Sequence, residues 1–366
     1  MSGLGFFMPV TLEEIAKASG FSVPTVSRAL TNSKYPINPA TRQRIVEVAQ
    51  SLGYKPNLAA RSLRTEQTST IGVIVDDISS PFVPPIVRGI QDYLKQFDYL
   101  SLIVNSDWDP EVEQDAINTL VSRPVDGIIF VEYSHLALNE TLLRSNKPYV
   151  FVHRLFGSTI KNSIVPDDYN GATVAVQHLI GLGHQRIAYI NGPENWHSAQ
   201  RRLTGYRDVM AAHNLVIPPA YIQPGEWEYD NGYQAVLNLL KLSDPPTAIF
   251  AANDLMALGA ISALQDAGLN VPKHVAVVGY DNRDFAKIVR PRITTVSMPV
   301  YEMGRTAAEL LVKQITEGRQ EADEIRVKGQ LYIRDTCGAD ASLRTPEEMN
   351  MGTIHRRILL NKGPDN

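Results

Sequence analysis

From Thr70 onward the chain alternates apolar runs of strand length with helical stretches, and this alternation constrains the fold more than any other feature. The runs are Ile71–Val75, Leu100–Val104, Gly127–Val131, Tyr149–Val152, Arg186–Ile190, Thr247–Phe250, Val275–Val278 and Ile293–Val296. Each is short and almost continuously apolar, the pattern of a strand buried on both faces. Between them lie helical patterns at Pro85–Phe97, Glu111–Ser122, Gly171–Leu182, Gln200–His213, Asp230–Leu240, Asp254–Ala267 and Val300–Gly318. Repeated β-α-β units of this kind predict parallel sheets covered by helices on both faces. A segment of about 270 residues is too long for one small sheet, so two Rossmann-like subdomains are expected, with ligands at the strand C-terminal ends in the cleft between them.

The preceding 65 residues follow a different plan. Thr11 precedes a helical segment carrying Leu12, Ile15, Ala16 and Lys17, which Ser19-Gly20 stops. Ser22 is a good N-cap for a second helix, with Pro24 in the first turn, where its missing N–H costs little. Val26, Ala29 and Leu30 give that helix one apolar face. A third helix is capped by Asn38, starts at Pro39, carries Ile45, Val48, Ala49 and Leu52 on one face, and ends at Gly53. Two short helices joined by a glycine-containing turn, then a bracing third, form the helix-turn-helix plan. Pro56-Asn57 opens a two-turn helical stretch, Leu58 to Arg64, which is too short to order without a partner surface.

Charge divides the chain at the same place. Residues 1–65 carry Lys17, Arg28, Lys34, Arg42, Arg44, Lys55, Arg61 and Arg64 against Glu13, Glu14 and Glu47, a net +5, whereas the remainder carries −9. A basic front on an acidic body fits a polyanion-binding module joined to a body with another task. The single cysteine, Cys337, excludes an intramolecular disulfide and any multi-cysteine metal site. No apolar run reaches the roughly 18–20 residues that span a bilayer, and the start lacks a basic signal-peptide region, so a cytoplasmic protein without membrane association is expected. No P-loop, HExxH or GxSxG occurs, and Gly181-Leu182-Gly183-His184 follows a helix and precedes a strand, the reverse of a dinucleotide loop. The reading is therefore not an enzyme, with no cofactor and no metal.

With that organisation in place, the sequence strongly resembles the LacI/GalR family of bacterial transcription regulators from about Val10 to Asp335. Val10-Thr11-Leu12, Ile15-Ala16, Ala18-Ser19-Gly20 and Thr25-Val26-Ser27-Arg28-Ala29-Leu30 match its helix-turn-helix signature, continued by Thr41-Arg42 and Leu52-Gly53-Tyr54-Lys55-Pro56-Asn57. Ala59-Ala60-Arg61-Ser62-Leu63 matches its hinge. Ile71-Gly72-Val73, Pro81-Phe82, Asp126-Gly127-Ile128-Ile129, Ala252-Asn253-Asp254, Ala257-Leu258-Gly259 and Val277-Val278-Gly279-Tyr280-Asp281 follow in the expected order. The resemblance implies an all-α helix-turn-helix domain (1–55), a hinge helix and linker (56–69), and a periplasmic-binding-protein-like α/β effector domain of two Rossmann-like subdomains (70–338). A tail (339–366) has no assigned role.

What the resemblance further implies is a homodimer on a pseudo-palindromic double-stranded operator, with each recognition helix in a major groove and paired hinge helices over the central minor groove. The residues it places at DNA are Thr11, Ser22, Val23, Pro24, Thr25, Ser27, Arg28, Thr41, Asn57, Ala60, Leu63 and Arg64. Arg28 suits guanine or phosphate, the hydroxyls suit phosphate, and Val23-Pro24 offers only apolar contact, for example with a thymine methyl. Leu63 is placed to wedge into a base step and kink the duplex. The last segment, Ile354–Leu360, lacks the leucine heptad of tetrameric members, which favours a dimer.

At the cleft the resemblance places Asp76, Phe82, His153, Arg154, Gln200, Arg201, Trp227, Asn253 and Asp281 around a small-molecule effector. Paired carboxylates and amides with an aromatic face are sugar-binding chemistry. Two positions depart from the sugar-responsive pattern: Gln200 stands where an arginine is usual, and His153 where a carboxylate or amide is common. Arg202 fits an Arg-x-x-Gly-aromatic pattern with Gly205 and Tyr206 that is also consistent with a structural role. His153, Arg154 and Arg201 leave a sugar phosphate or acidic ligand open, and Trp227 and Phe82 would stack a nucleobase corepressor as well as a sugar. Repression is the family default.

Overall fold

The front of the chain is shaped by its caps. The Glu14 amide donates to Thr11 Oγ1 (3.3 Å) and the Thr11 amide to the Glu14 carboxylate (2.7 Å), a capping box that starts α1 (Leu12–Ser19). Gly20 ends α1 at φ +78°, a left-handed conformation that any Cβ would strain. Ser22 Oγ accepts the Thr25 amide at 3.4 Å and opens α2 (Val23–Leu30). Asn38 Oδ1 accepts the Ala40 amide at 2.9 Å and opens α3 (Pro39–Ser51). The caps therefore sit where the sequence places them. Ile15, Ala16, Val26, Ala29, Ile45 and Ala49 close the core. Each fully buried isoleucine or valine there contributes about 1.5–3 kcal/mol, which matters in a unit too small to bury most of its surface.

The computed structural model describes residues 10–30, 36–54, 67–131, 141, 144–153, 161–318 and 322–345. It divides at Thr68/Ser69 into two units, the helical one above and an α/β one. In the second, β1 (Thr70–Val75), β2 (Leu100–Asn105), β3 (Gly127–Val131), β4 (Tyr149–Val152), β5 (Ser163–Pro166) and β11 (Ile325–Val327) form a parallel sheet in the order β11-β5-β4-β3-β1-β2. A second sheet contains β6 (Ile187–Ile190), β7 (Ile222–Gln223), β8 (Ala248–Ala251), β9 (Ala276–Asp281), β10 (Thr294–Ser297) and β12 (Leu331–Tyr332) in the order β12-β10-β9-β8-β6-β7. Helices α4 (Val83–Leu94), α5 (Pro110–Ser122) and α11 (Val300–Glu317) cover the first sheet. The second is covered by α6 (Asp168–Gly181), α7 (His197–Ala212), α8 (Tyr229–Leu239), α9 (Asp254–Asp266) and the short α10 (Asp284–Ile288). The chain passes between the subdomains after β5, after β10 and after β11. At Gly89 an added Cβ would fall 2.1 Å from the Tyr301 carbonyl oxygen, so glycine lets α4 and α11 pack backbone to backbone.

Two expectations need correcting. Not every pairing is parallel: β12 runs antiparallel to β10. Nor is β2 a buried strand, because it is the sheet edge and leaves Leu100 (69%), Leu102 and Ile103 exposed. β5, β7, β11 and β12 were not anticipated, since segments of two to four residues carry too little pattern to separate from loop. The chain stays packed past residue 338: Ala339 is buried, and the Ile333 and Thr345 segments exchange hydrogen bonds of 2.8 and 3.0 Å. Cys337 is a free, buried thiol. No helix among the described residues is long and apolar enough to cross a membrane.

Candidate functional site

In the helical unit, α2 turns Val26 and Ala29 into the core, so the opposite face meets solvent. Ser22, Val23, Pro24 and Arg28 are exposed there and Thr25, Ser27 and Thr41 are half-buried. Pro24, Ser27 and Arg28 share one face by their i, i+3, i+4 spacing. Ser22 Oγ and Thr25 Oγ1 also bond each other at 2.8 Å, which fixes both hydroxyls at the helix N-terminus, where an anion is favoured. Thr11 is held by Glu14 and spends its amide and hydroxyl on that carboxylate. Asn57, Ala60, Leu63 and Arg64 lie outside the described residues, as does Arg154.

In the α/β unit a buried polar cluster forms around Arg202 of α7. Its Nε donates to Asp168 Oδ1 at 2.8 Å, Nη1 donates to the Ala252 carbonyl, and Nη1 lies 3.8 Å from Asp281 Oδ1. The guanidinium stacks over Tyr280 at 3.7 Å and stands 5.5 Å from the centre of the Trp227 ring. Arg202 is only 2% exposed. It sits on the buried face of α7 with Ala199, Tyr206 and Val209, whereas a one-residue step rotates a side chain by about 100°. That rotation sets Gln200 and Arg201 apart from the buried cluster. Gln200 is exposed and donates to the Glu194 carbonyl at 2.8 Å, and Arg201 stands over the Tyr169 ring at 5.1 Å. The sequence pattern gives Arg202 as a cleft residue of structural role, and does not single out its partner Asp168. A charged residue on an apolar stripe was the available signal for Arg202, but nothing in the sequence pairs it with Asp168.

The remaining cleft residues fall into distinct roles. Asn253 is spent on structure: its Oδ1 caps α9 through the Met256 amide and its Nδ2 donates to the Trp227 carbonyl, both at 2.8 Å. The Trp227 ring lies against Gly192 so closely that a Cβ there would fall 2.2 Å from it. Asp76 is buried at the end of β1, where its Oδ1 accepts the Asp77 amide. His153 is buried, and burial together with the Arg202 charge pulls its pKa down to about 3, so the imidazole is neutral. Burial pushes the Asp168 and Asp281 carboxyls up against the opposing pull of Arg202, and it raises buried Asp254 to about 7. Asp254 Oδ2 accepts the Arg283 amide at 2.8 Å, which ties the loop after β9 to α9. His153, Trp227, Asp281 and Asn282 all hold positive φ (69°, 68°, 105° and 56°), strain of the kind that gathers at functional sites.

Buried polar atoms in and beside this cluster without a hydrogen-bond partner include Asp281 Oδ1, Asn191 Oδ1, Trp227 Nε1, Tyr280 Oη and Asp254 Oδ1. Asp281 also borders a cavity of about 660 Å³ between the two subdomains, lined by Phe82 on one side and by Arg283 and Phe285 on the other. Among the described residues no group of His, Cys, Asp and Glu side chains is arranged to hold a metal ion.

Comparison with known proteins decides the family. Residues 11–57 match the model of bacterial regulatory proteins of the lacI family, and residues 176–337 match a periplasmic binding protein-like domain. Catabolite control protein A of Priestia megaterium is 34% identical over 334 residues, covering 90% of this chain and 99% of that protein. The chain belongs to the LacI family. Among solved LacI-family structures, the lac repressor dimer bound to operator and the anti-inducer ONPF aligns with a TM-score of 0.71 at 28% identity, covering 91% of this chain and 100% of that one. A transcriptional regulator CelR–cellobiose complex aligns with a TM-score of 0.65 at 31% identity, covering 89% and 99%. The protein is thus a LacI-family DNA-binding transcriptional regulator with a helix-turn-helix head and a periplasmic-binding-protein-like body.

Proposed function

We propose that this LacI-family regulator is a repressor whose operator affinity is set by a neutral sugar bound at the Arg202 cluster, and that it has no catalytic activity. The observation that carries the reading is Asp281 Oδ1, a buried acceptor with no hydrogen bond, whose ion-pair partner Arg202 Nη1 stands 3.8 Å away on a guanidinium already hydrogen-bonded to Asp168. Leaving a buried polar atom unsatisfied costs about 1–3 kcal/mol, which a ligand hydroxyl relieves. The charge balance favours a neutral ligand over a sugar phosphate or acid. Asp168 neutralises Arg202, His153 is uncharged, and Arg201 is occupied with Tyr169 outside the cluster. Trp227 supplies the aromatic face that a sugar's C–H groups cover. Any control of DNA then equals the ligand's differential affinity for the two subdomain arrangements.

The head reads DNA through the exposed α2 face and the start of α3, Val23, Pro24 and Arg28 toward bases and Ser22, Thr25, Ser27 and Thr41 toward phosphates. Residues 56–69 serve as the hinge, with Leu63 as the minor-groove wedge; Leu63→Ala should lose most operator affinity while effector binding is kept. The exposed apolar side chains of the β2 edge, Leu100, Leu102 and Ile103 with Phe97, support pairing with a second copy. Leu100→Lys is expected to shift sedimentation from dimer to monomer. The effector reading is tested by thermal unfolding of the protein against sugars, sugar phosphates and nucleobases. A sugar at about 100 times its dissociation constant should add about 2.7 kcal/mol, and Asp281→Ala should abolish the gain. A nucleobase as the sole hit, with DNA binding tightened by it, would replace the sugar inducer with a corepressor.

A further inference from the structure

We infer that Arg334 is a positioning residue of the effector site: through Asn282 it holds the Asp281 carboxyl in the orientation that meets a ligand. This rests on the reading of Asp281 as an effector contact. The conformation at this point needs holding. Asp281 and Asn282 are successive non-glycine residues at φ 105° and 56°, and backbone of that kind persists only where its surroundings fix it from several sides. Three bonds fix backbone groups. The Met298 amide donates to the Asp281 carbonyl at 3.2 Å, the Asn282 amide to Thr295 Oγ1 at 3.3 Å, and the Arg283 amide to Asp254 Oδ2 at 2.8 Å. A fourth bond is the shortest and the only one of them with a charged donor: Arg334 Nη2 donates to Asn282 Oδ1 at 2.6 Å.

Arg334 suits that task because it cannot follow the loop. It is 1% exposed, lies just beyond β12, and is tied to the start of β10 at both ends: its amide donates to Thr294 Oγ1 at 2.9 Å and its Nη1 to the Ile293 carbonyl at 2.7 Å. Its planar fork therefore presents Nη2 to Asn282, fifty-two positions away, from a fixed place. Turning Asn282 toward Arg334 fixes the peptide that joins it to Asp281, and with it the direction in which the Asp281 side chain leaves the backbone. The consequence is read at Arg202. Asp281 Oδ1 stands 3.8 Å from Arg202 Nη1 and makes no hydrogen bond, whereas a charged pair in bonding contact closes to about 2.7–2.9 Å. A loop free to swing would let that oxygen close on Arg202 and take it from a ligand. Held by Arg334, it stays outside bonding reach and available.

The test joins titration calorimetry of the full chain, against glucose, ribose, cellobiose, adenine and hypoxanthine, to hydrogen exchange read by mass spectrometry. Asn282→Gly tolerates the positive φ and removes only the acceptor. It should weaken whichever compound binds in an Asp281-dependent way by about tenfold, a difference of about 1.4 kcal/mol. Arg334→Met should do the same, and the double variant should lose no more than either single one. Arg334→Lys, which keeps a charged donor, should lose less. In each variant, exchange of the Asn282 and Arg283 amides should rise while that of the second sheet stays at the parent level. Should Arg334→Met not fold, Asn282→Gly decides. Unchanged affinity in Asn282→Gly, or exchange raised throughout the body, overturns the inference and leaves the sugar reading in place. Binding that Asp281→Ala does not weaken overturns the inference together with the reading of Asp281. A nucleobase as the sole Asp281-dependent ligand, weakened by Asn282→Gly, sustains the inference and overturns the sugar reading. With no ligand among the five, the exchange pattern alone upholds or overturns it.

Discussion

The two units of this protein treat polar residues in opposite ways. The helical head spends its polar side chains on caps and on one exposed face, around a core of six small or branched apolar residues. The α/β body buries Arg202, Asp168, Asp281, Asp254 and His153 together. The difference fits the ligands proposed for the two units. A phosphate backbone is met at a surface, where charge is cheap and each contact is nearly independent. A small molecule has to be surrounded, so the groups that recognise it leave water before it arrives and are held by one another at a cost in stability.

Replacing Arg202 gives the largest expected break in this contrast. Arg202→Leu leaves Asp168 and Asp281 buried without their cation and should cost about 3–5 kcal/mol in urea unfolding. Arg28→Ala in the head should change stability by no more than about 0.5 kcal/mol. Comparable losses in the two variants would show that the body's cluster is not held by its ion pair. Arg28→Ala acts instead on DNA: operator affinity, measured by anisotropy at fixed salt, should fall by about 1–3 kcal/mol with effector binding unaltered.

The body should also carry a pH dependence with contributions of opposite sign, Asp254 together with raised Asp168 and Asp281 on one side and His153 on the other. Asp254 rises from 3.8 to about 7 on folding, so the folded state binds more protons and stability declines as pH rises through that window. His153 falls from 6.5 to about 3, so the unfolded state binds more protons and stability declines as pH drops through that window. Each contributes a slope of at most about 1.4 kcal/mol per pH unit, and where the windows overlap they oppose each other. Asp254→Asn should therefore expose the acid-side loss due to His153, and His153→Gln the alkaline-side loss due to Asp254. Identical pH profiles for both variants and the parent chain would sink the assignment. The smallest effect belongs to the head: Thr11→Ala removes the capping box of α1 and should cost about 1 kcal/mol, read in thermal unfolding.

Much of this was legible before any coordinates. The caps at Thr11, Ser22 and Asn38 are local, set by side chains reaching amides two or three residues away, and the structure keeps all three. The apolar runs mark the longer strands to within a residue or two at their N-terminal ends, since burial on both faces leaves a continuous signal. Asn253 was legible as a polar residue at the cleft, but not that both ends of its amide are occupied by backbone. That Arg202 and not Gln200 or Arg201 lies on the buried face of α7 was written in helical periodicity.

By itself, then, the sequence determined the helical head, its basic charge, the β-α alternation of the body and the family, because each is carried by residues close together in the chain. Only the tertiary structure decided that Arg202 pairs with Asp168 thirty-four positions away, that one Asp281 oxygen beside them has no hydrogen bond, and that β2 lies at an edge. Those facts depend on which strands become neighbours and which crossings bring two sheets together. Long-range pairing of that kind leaves no periodic trace along one chain.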